Sequence, residues 1–265
     1  TKESKFHYVP HNAWDYIVDK LWKIYDRTWL SLEDTFTYAL INGVIEPIVL
    51  FFFPEKSPIV HASGLSYKNN GVIISGMGGV GKTTTVLRLL LRERYLLYIT
   101  DDRAIIDSQG NVIFYPRKMM VYEYNLKDIP ELKEKLKKTQ DMWDKIHWHM
   151  HSSKDKPKMR RRRLTPESLF GKDKVNKGKV PLRLVFFLQK AKVQGMKFED
   201  MDYEEYSGIM GNIMRDSEFE RFSQFIFKNN LLDMDAWKER YIKALVGRFK
   251  NTHTRIIKVK LPISL

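Results

Sequence analysis

Residues 72–84 read VIISGMGGVGKTT, and they set the architecture expected of everything around them. VIIS is a short apolar, β-branched run, the signature of a buried strand. GMGGVGKT, from Gly76 to Thr83, satisfies G-x-x-x-x-G-K-[ST] and carries further glycines at Gly78 and Gly79. The Leu-rich run from Lys82 to about Arg92 then reads as a helix. Glycines allow positive φ and close backbone approach, so the amides of Gly76, Gly78, Gly79, Val80, Gly81, Lys82, Thr83 and Thr84 can turn toward phosphate oxygens at a helix N-terminus. In such a loop the Lys82 ammonium reaches the β- and γ-phosphates, and the Thr83 hydroxyl meets a bridging magnesium ion. A glycine-rich turn with a surface lysine is the plainer alternative; a strand running in and a helix running out favour the phosphate-binding reading.

On either side, strand and helix alternate: PIVHAS precedes the loop, and YLLYIT follows the helix. AIID, a Ser-Gln-Gly-Asn turn and VIFYPR then form the pattern of a hairpin. The order predicts an α/β fold. Asp101 and Asp102 end YLLYIT a short interval beyond Lys82. Adjacent carboxylates at a strand's C-terminal end can divide labour, one holding magnesium and the other accepting a proton. Two solvated acids capping a turn are the alternative.

At the N-terminal end, Trp14, Ile17, Val18, Leu21, Trp22, Tyr25 and Trp29 have helical spacing, and the stripe predicts core or oligomer packing. Ser31 and Asp34 have capping-box spacing for a second helix, with Leu32, Phe36, Ala39 and Leu40 on its buried face and Gly43 at its end. IVLFFF, 48–53, between two prolines, reads as a buried strand. A helix is expected from Asp128 to His151, with Leu132, Leu136, Trp143, Ile146 and Met150 on one face. Residues 154–179 carry a net charge of +8, which predicts an exposed, mobile segment. LRLVFFL and RIIKVKL are further strands, with helices near 206–227 and 235–246 between them. The domain reading is a helical segment at 1–44 and a core at 45–265, with a helical and basic insertion at about 126–180.

The 265 residues contain no cysteine, which excludes disulfides, thiolate metal sites and cysteine nucleophiles. Lys and Arg exceed Asp and Glu by 14, a field that attracts phosphates, nucleic acid or an acidic macromolecule. The longest uninterrupted apolar run is the six residues Ile48–Phe53, against about 20 needed to cross a bilayer in a helix. The expectation is a soluble, cytoplasmic chain that makes no use of a membrane.

From Pro58 to Arg117, the combination of PIVHASG, GMGGVGKTT, a short helix, a double aspartate and NVIFYPR resembles the HPr kinase and phosphoenolpyruvate carboxykinase family. The resemblance covers about a quarter of the chain. It implies a P-loop kinase core with a mixed sheet, here with added N- and C-terminal helices, and an ATP- and Mg²⁺-dependent phosphotransferase that acts on a hydroxyl of a protein serine or small molecule. It also implies that Lys82 and Thr83 act on the phosphates and metal, that Asp101 is the catalytic base, that Asp102 is a metal ligand, and that His61 orients the base. Oligomers are common in that family, so a homo-oligomer is expected. The sequence leaves the acceptor open, as it does the choice among ATP, GTP and pyrophosphate.

Arg160, Arg161, Arg162 and Arg163 can engage a phosphorylated or acidic substrate, or nucleic acid, and a solvated loop explains them as well. The corresponding alternatives for the whole chain are a nucleic-acid-directed P-loop ATPase and an assembly protein with a vestigial nucleotide site. His147 and His151 share a helix face at i, i+4, and the spacing supplies no third ligand for a metal.

Overall fold

The computed structural model describes residues 14, 17–18, 21–23, 30–140, 142–150 and 161–262 of a mixed α/β protein. The chain divides into two units, residues 1–43 with 120–163 and residues 44–119 with 164–265. In the second unit α1 (Glu46–Phe52) leads to β1 (Ile59–Val60), β2 (Ala62–Tyr67) and β3 (Asn70–Gly76). Next come α2 (Lys82–Arg92), β4 (Leu96–Thr100), β5 (Ala104–Ile106) and β6 (Asn111–Ile113). After residue 164 follow β7 (Lys179–Ala191), β8 (Lys197–Asp200), α3 (Tyr203–Ile213), a π-helical turn Met214–Glu218, α4 (Glu220–Lys228), α5 (Met234–Asn251) and β9 (Arg255–Pro262). The strands join in the order β1-β5-β6-β7-β3-β2-β4, and β9 pairs with both β7 and β8.

The 13-residue β7 is the spine of this sheet. It runs parallel to β3, with Ile74 opposite Phe186 and Gly76 opposite Leu188, and parallel to β9, with Ile256 opposite Val185. The remaining pairs are antiparallel. A sheet buried on both faces calls for continuous apolar strands, and Ile73, Ile74, Val185 and Phe187 are all buried. Tyr206 and Met210 of α3 and Tyr241, Leu245 and Phe249 of α5 belong to the same core. The expected hairpin at 104–113 is present, with Asp107 Oδ1 accepting from the amides of Gln109 and Asn111.

IVLFFF is not a strand. Residues 46–52 are helical, and the neighbours Leu50 and Phe51 are both buried, whereas a strand would put them on opposite faces. Local β propensity is overridden by tertiary contacts: Phe51 packs on the rings of Phe222, Phe227 and Trp237, and Trp237 Nε1 donates to Leu50 O at 3.0 Å. Pro47 sits in the first turn of the segment, where a missing N–H costs least.

In the first unit, Ser31 caps a helix Leu32–Leu40 by accepting from the Asp34 amide at 3.0 Å. The expected buried face is absent from that helix, where Phe36 and Leu40 are exposed, and Gly43 lies within a π-helical turn, Ile41–Ile45, instead of at a helix end. The described apolar residues of the preceding stripe, Trp14, Ile17, Val18 and Leu21, are exposed as well, while Trp22 Nε1 donates to Thr35 Oγ1; Tyr25 and Trp29 lie outside the described residues. The helix expected from Asp128 to His151 is two, Pro130–Thr139 and Met142–Met150. Leu132 and Leu136 are buried, and Trp143 and Ile146 are exposed. The helical run Leu32–Phe52, 21 residues, is by length and composition long and apolar enough to cross a membrane, a property that the six-residue count missed by stopping at each polar residue.

The described part of the basic segment, 161–179, is more ordered than its charge suggests. Arg161–Leu164 form a strand, and Arg162 is 1% exposed, with its Nε 2.6 Å from Asp144 Oδ1 and its guanidinium over the Trp148 ring. Arg163 stacks on Tyr38, and Arg160 lies outside the described residues. Residues 166–170 and 172–174 form short helices. His147 is buried, and His151 lies outside the described residues.

Phe51→Ala should lower the unfolding free energy by about 3–5 kcal/mol, as for other buried Phe truncations. Phe53→Ala, at an exposed position, should change it by less than about 0.5 kcal/mol. Urea titration of both variants checks this; equal losses would be the strand pattern.

Candidate functional site

The loop between β3 and α2 is built by backbone constraint. Gly76 has φ 141°, and a Cβ there would lie 2.5 Å from Leu188 O on the parallel neighbour, so the residue at the strand's exit must be glycine. Gly79 and Gly81 also have positive φ, and Gly81 is the N-cap of α2. Lys82 opens the helix and is buried. Its Nζ donates to Gly76 O at 2.9 Å and to Met77 O at 3.0 Å, which folds the ammonium back over the start of the loop. Burial pulls its pKa down to about 8, against the charges of Asp102, Glu218 and Asp101.

The strand order places β2 between β3 and β4 and brings the acids at the end of β4 to this loop. Asp101, 2% exposed, accepts from Ser63 Oγ at 2.5 Å and from Thr83 Oγ1 at 3.1 Å. Burial raises its pKa, opposed by the Ser63 hydrogen bond and reinforced by the Asp102 charge. Asp102 adopts the left-handed conformation, φ 69°, and its carboxylate leaves the chain toward other partners. His61 Nε2 lies 3.3 Å from Asp102 Oδ1, Arg117 Nη2 3.5 Å and Arg103 Nη1 3.6 Å from Oδ2. Burial works against this carboxylate, but the His61 hydrogen bond and the two guanidinium charges hold it well below the usual range.

His61 follows β1 and is 5% exposed. Its Nδ1 lies 2.6 Å from Glu218 Oε1, and Glu218 Oε2 is 2.8 Å from Arg103 Nη2. Burial raises the Glu218 pKa, and His61 with Arg103 more than reverses the effect. Behind this layer Glu46, 3% exposed, takes Arg117 Nη1 at 2.9 Å, Arg103 Nε at 3.3 Å and the Tyr115 hydroxyl at 2.8 Å. Ligand atoms of His61, Asp102 and Glu218 lie within 4.8 Å of one another. The two guanidinium groups already supply positive charge to that cluster.

The structure therefore brings together the loop, Lys82, Thr83, Asp101, Asp102 and His61. The ring of His61 meets Asp102 and Glu218, while Asp101 takes its hydrogen bonds from Ser63 and Thr83. Sequence reasoning missed Ser63, Arg103, Arg117, Glu46 and Glu218. Ser63 carried a usable signal, since alternation along a strand puts it on the side of His61. Arg103 and Arg117 adjoin quoted motifs, at the end of the acidic pair and of VIFYPR. Glu46 and Glu218 carried none.

No protein-family model matches the chain, and no curated protein matches it. Among solved structures, it is similar to that of the Hpr(Ser) kinase/phosphatase from Coxiella burnetii, with 13% identity, a TM-score of 0.30, and coverage of 77% of this chain and 85% of the other.

Lys82 makes a pH prediction. Its folded pKa, about 8, is below the unfolded value near 10.4, so the unfolded chain binds more protons between the two. Its contribution to stability should be fully present above about pH 10.4 and be lost as pH falls through 8. The difference in unfolding free energy between wild type and Lys82→Met should rise by up to about 3 kcal/mol from pH 8 to 10.5. A flat difference in denaturant titrations would place the ammonium in water.

Proposed function

We propose that this chain is an ATP- and Mg²⁺-dependent phosphotransferase with a P-loop kinase core of the HPr kinase type, acting on a hydroxyl group. The observation that carries the reading is the meeting of the Thr83 hydroxyl with the Asp101 carboxylate at 3.1 Å, beside the buried ammonium of Lys82. A hydroxyl at the start of the loop helix and an acid after another strand of the same sheet are the hard oxygen donors that hold magnesium in P-loop enzymes. Thr83 and Asp101 would hold that cation, which would supply positive charge against the phosphates.

The chain's own groups supply the rest. The amides of Gly78 to Thr83 bind the phosphate oxygens, and Lys82, leaving the Gly76 and Met77 carbonyls, places positive charge on the group in transfer. Asp102, held ionised, accepts a hydrogen bond from the acceptor's hydroxyl and orients it, and the proton leaves on the transferred phosphoryl group. His61 positions that carboxylate through Nε2, and its Nδ1 lies beside Glu218. Glu46 holds Arg103 and Arg117 against the same carboxylate, keeping it ionised. This assignment exchanges the roles that the family resemblance implies for the two aspartates, and it rests on the Thr83–Asp101 and His61–Asp102 contacts.

ATP with magnesium at about 100 times its Kd should stabilise the wild type by about 2.7 kcal/mol. Lys82→Ala should lower labelled γ-phosphate transfer by about two to three orders of magnitude, the usual cost of one preorganised donor. Asp102→Asn should abolish transfer and keep the nucleotide-dependent stabilisation. Near-wild-type transfer by Lys82→Ala would refute the proposal.

A further inference from the structure

A cavity of about 570 Å³ opens beside the loop, lined by Met77 to Val80, by Phe187 to Lys190 of β7, by Ile209, Asn212 and Ile213 of α3, and by Asp216 and Ser217. Its inner wall is apolar, with Val80, Phe187, Leu188 and Ile213 buried, and its mouth is polar, with Gln189, Lys190, Asn212 and Ser217 exposed. The volume is that of a small-molecule pocket. We infer that this cavity is the phosphoacceptor site and that the acceptor is a small molecule carrying a hydroxyl on an apolar body, instead of a protein serine. The inference rests on the phosphotransferase reading above and names its substrate class.

Two placements support it. First, the Lys82 ammonium lies on the carbonyls of Gly76 and Met77, and in a phosphate-binding loop this lysine serves the β- and γ-phosphates. The Met77–Gly79 end is thus the terminal-phosphate end, and it is the end the cavity borders. The nucleoside belongs beyond the opposite end, past the start of α2. Second, the lining residues Asp216 and Ser217 are followed in the chain by Glu218, whose carboxylate contacts His61 and Arg103 and through them Asp102. A hydroxyl at the Met77–Gly79 side of the cavity therefore faces the terminal phosphate. In the reaction, its oxygen forms a bond to the γ-phosphorus, the bond from that phosphorus to the β,γ-bridging oxygen breaks with its electron pair leaving on ADP, and the hydroxyl proton passes to an oxygen of the transferred phosphoryl group.

A homologous series of 1-alkanols from ethanol to hexanol, with magnesium and γ-labelled ATP, tests the assignment. Each methylene added inside the cavity should improve alkyl phosphate formation, as rate over concentration, by about fourfold, the equivalent of ~0.8 kcal/mol per buried CH₂. Asn212→Trp and, independently, Ser217→Trp fill the mouth from exposed positions. Either should flatten the chain-length dependence while the stabilisation by ATP and magnesium stays as in wild type. If ATP stabilises the wild type but transfer shows no dependence on chain length, or if both tryptophan variants keep that dependence, the cavity assignment is overturned and the phosphotransferase reading stands. Transfer to a serine peptide that both variants leave intact would also overturn it. If ATP stabilises neither wild type nor variants, the functional reading itself fails.

Discussion

The buried carboxylate of Glu46 is the point on which the second unit turns. It is 3% exposed and gathers two guanidinium groups and a phenol from segments more than fifty residues away in sequence. A charge in that position is tolerable only when its oxygens are filled, and removing one member of such a set leaves the others uncompensated in a low dielectric. The same contacts explain why the apolar run after Glu46 is helical: the carboxylate faces the arginines while Leu50 and Phe51, a turn further on, enter the aromatic core. Packing and electrostatics select one backbone conformation for a segment whose composition favours another.

The consequence reaches the acidic pair. Asp101 and Asp102 are neighbours in sequence with opposite environments, one buried against two hydroxyls and raised in pKa, the other ringed by His61, Arg103 and Arg117 and lowered. Two carboxylates whose environments push their affinities for protons apart are suited to different tasks. The layer that separates them is largely made of residues outside any recognisable motif.

What could be read from the sequence was local. The glycine-rich loop, the strands around it, the hairpin at 104–113 and the cap at Ser31 all depend on residues within a few positions of each other, and their periodicity or turn chemistry survives in one dimension. The errors share a cause. IVLFFF and Arg162 of the basic run each required knowing what lies opposite: Trp237 for the first, and Asp144 with Trp148 for the second. Glu46 and Glu218 were illegible for the same reason, since an isolated glutamate on a helix has the appearance of a surface residue.

The left-handed backbone at Asp102 bears on how this chain can diverge. Asparagine and glycine enter that conformation readily and aspartate nearly so, whereas β-branched residues do not. Position 101, just past the end of the strand and without a positive φ, carries no such restriction. A descendant that abandoned the chemistry would therefore drift first to asparagine or glycine at 102, with strand order and loop untouched. Such a chain would retain the outline of the site as a scaffold without the Asp102 carboxylate.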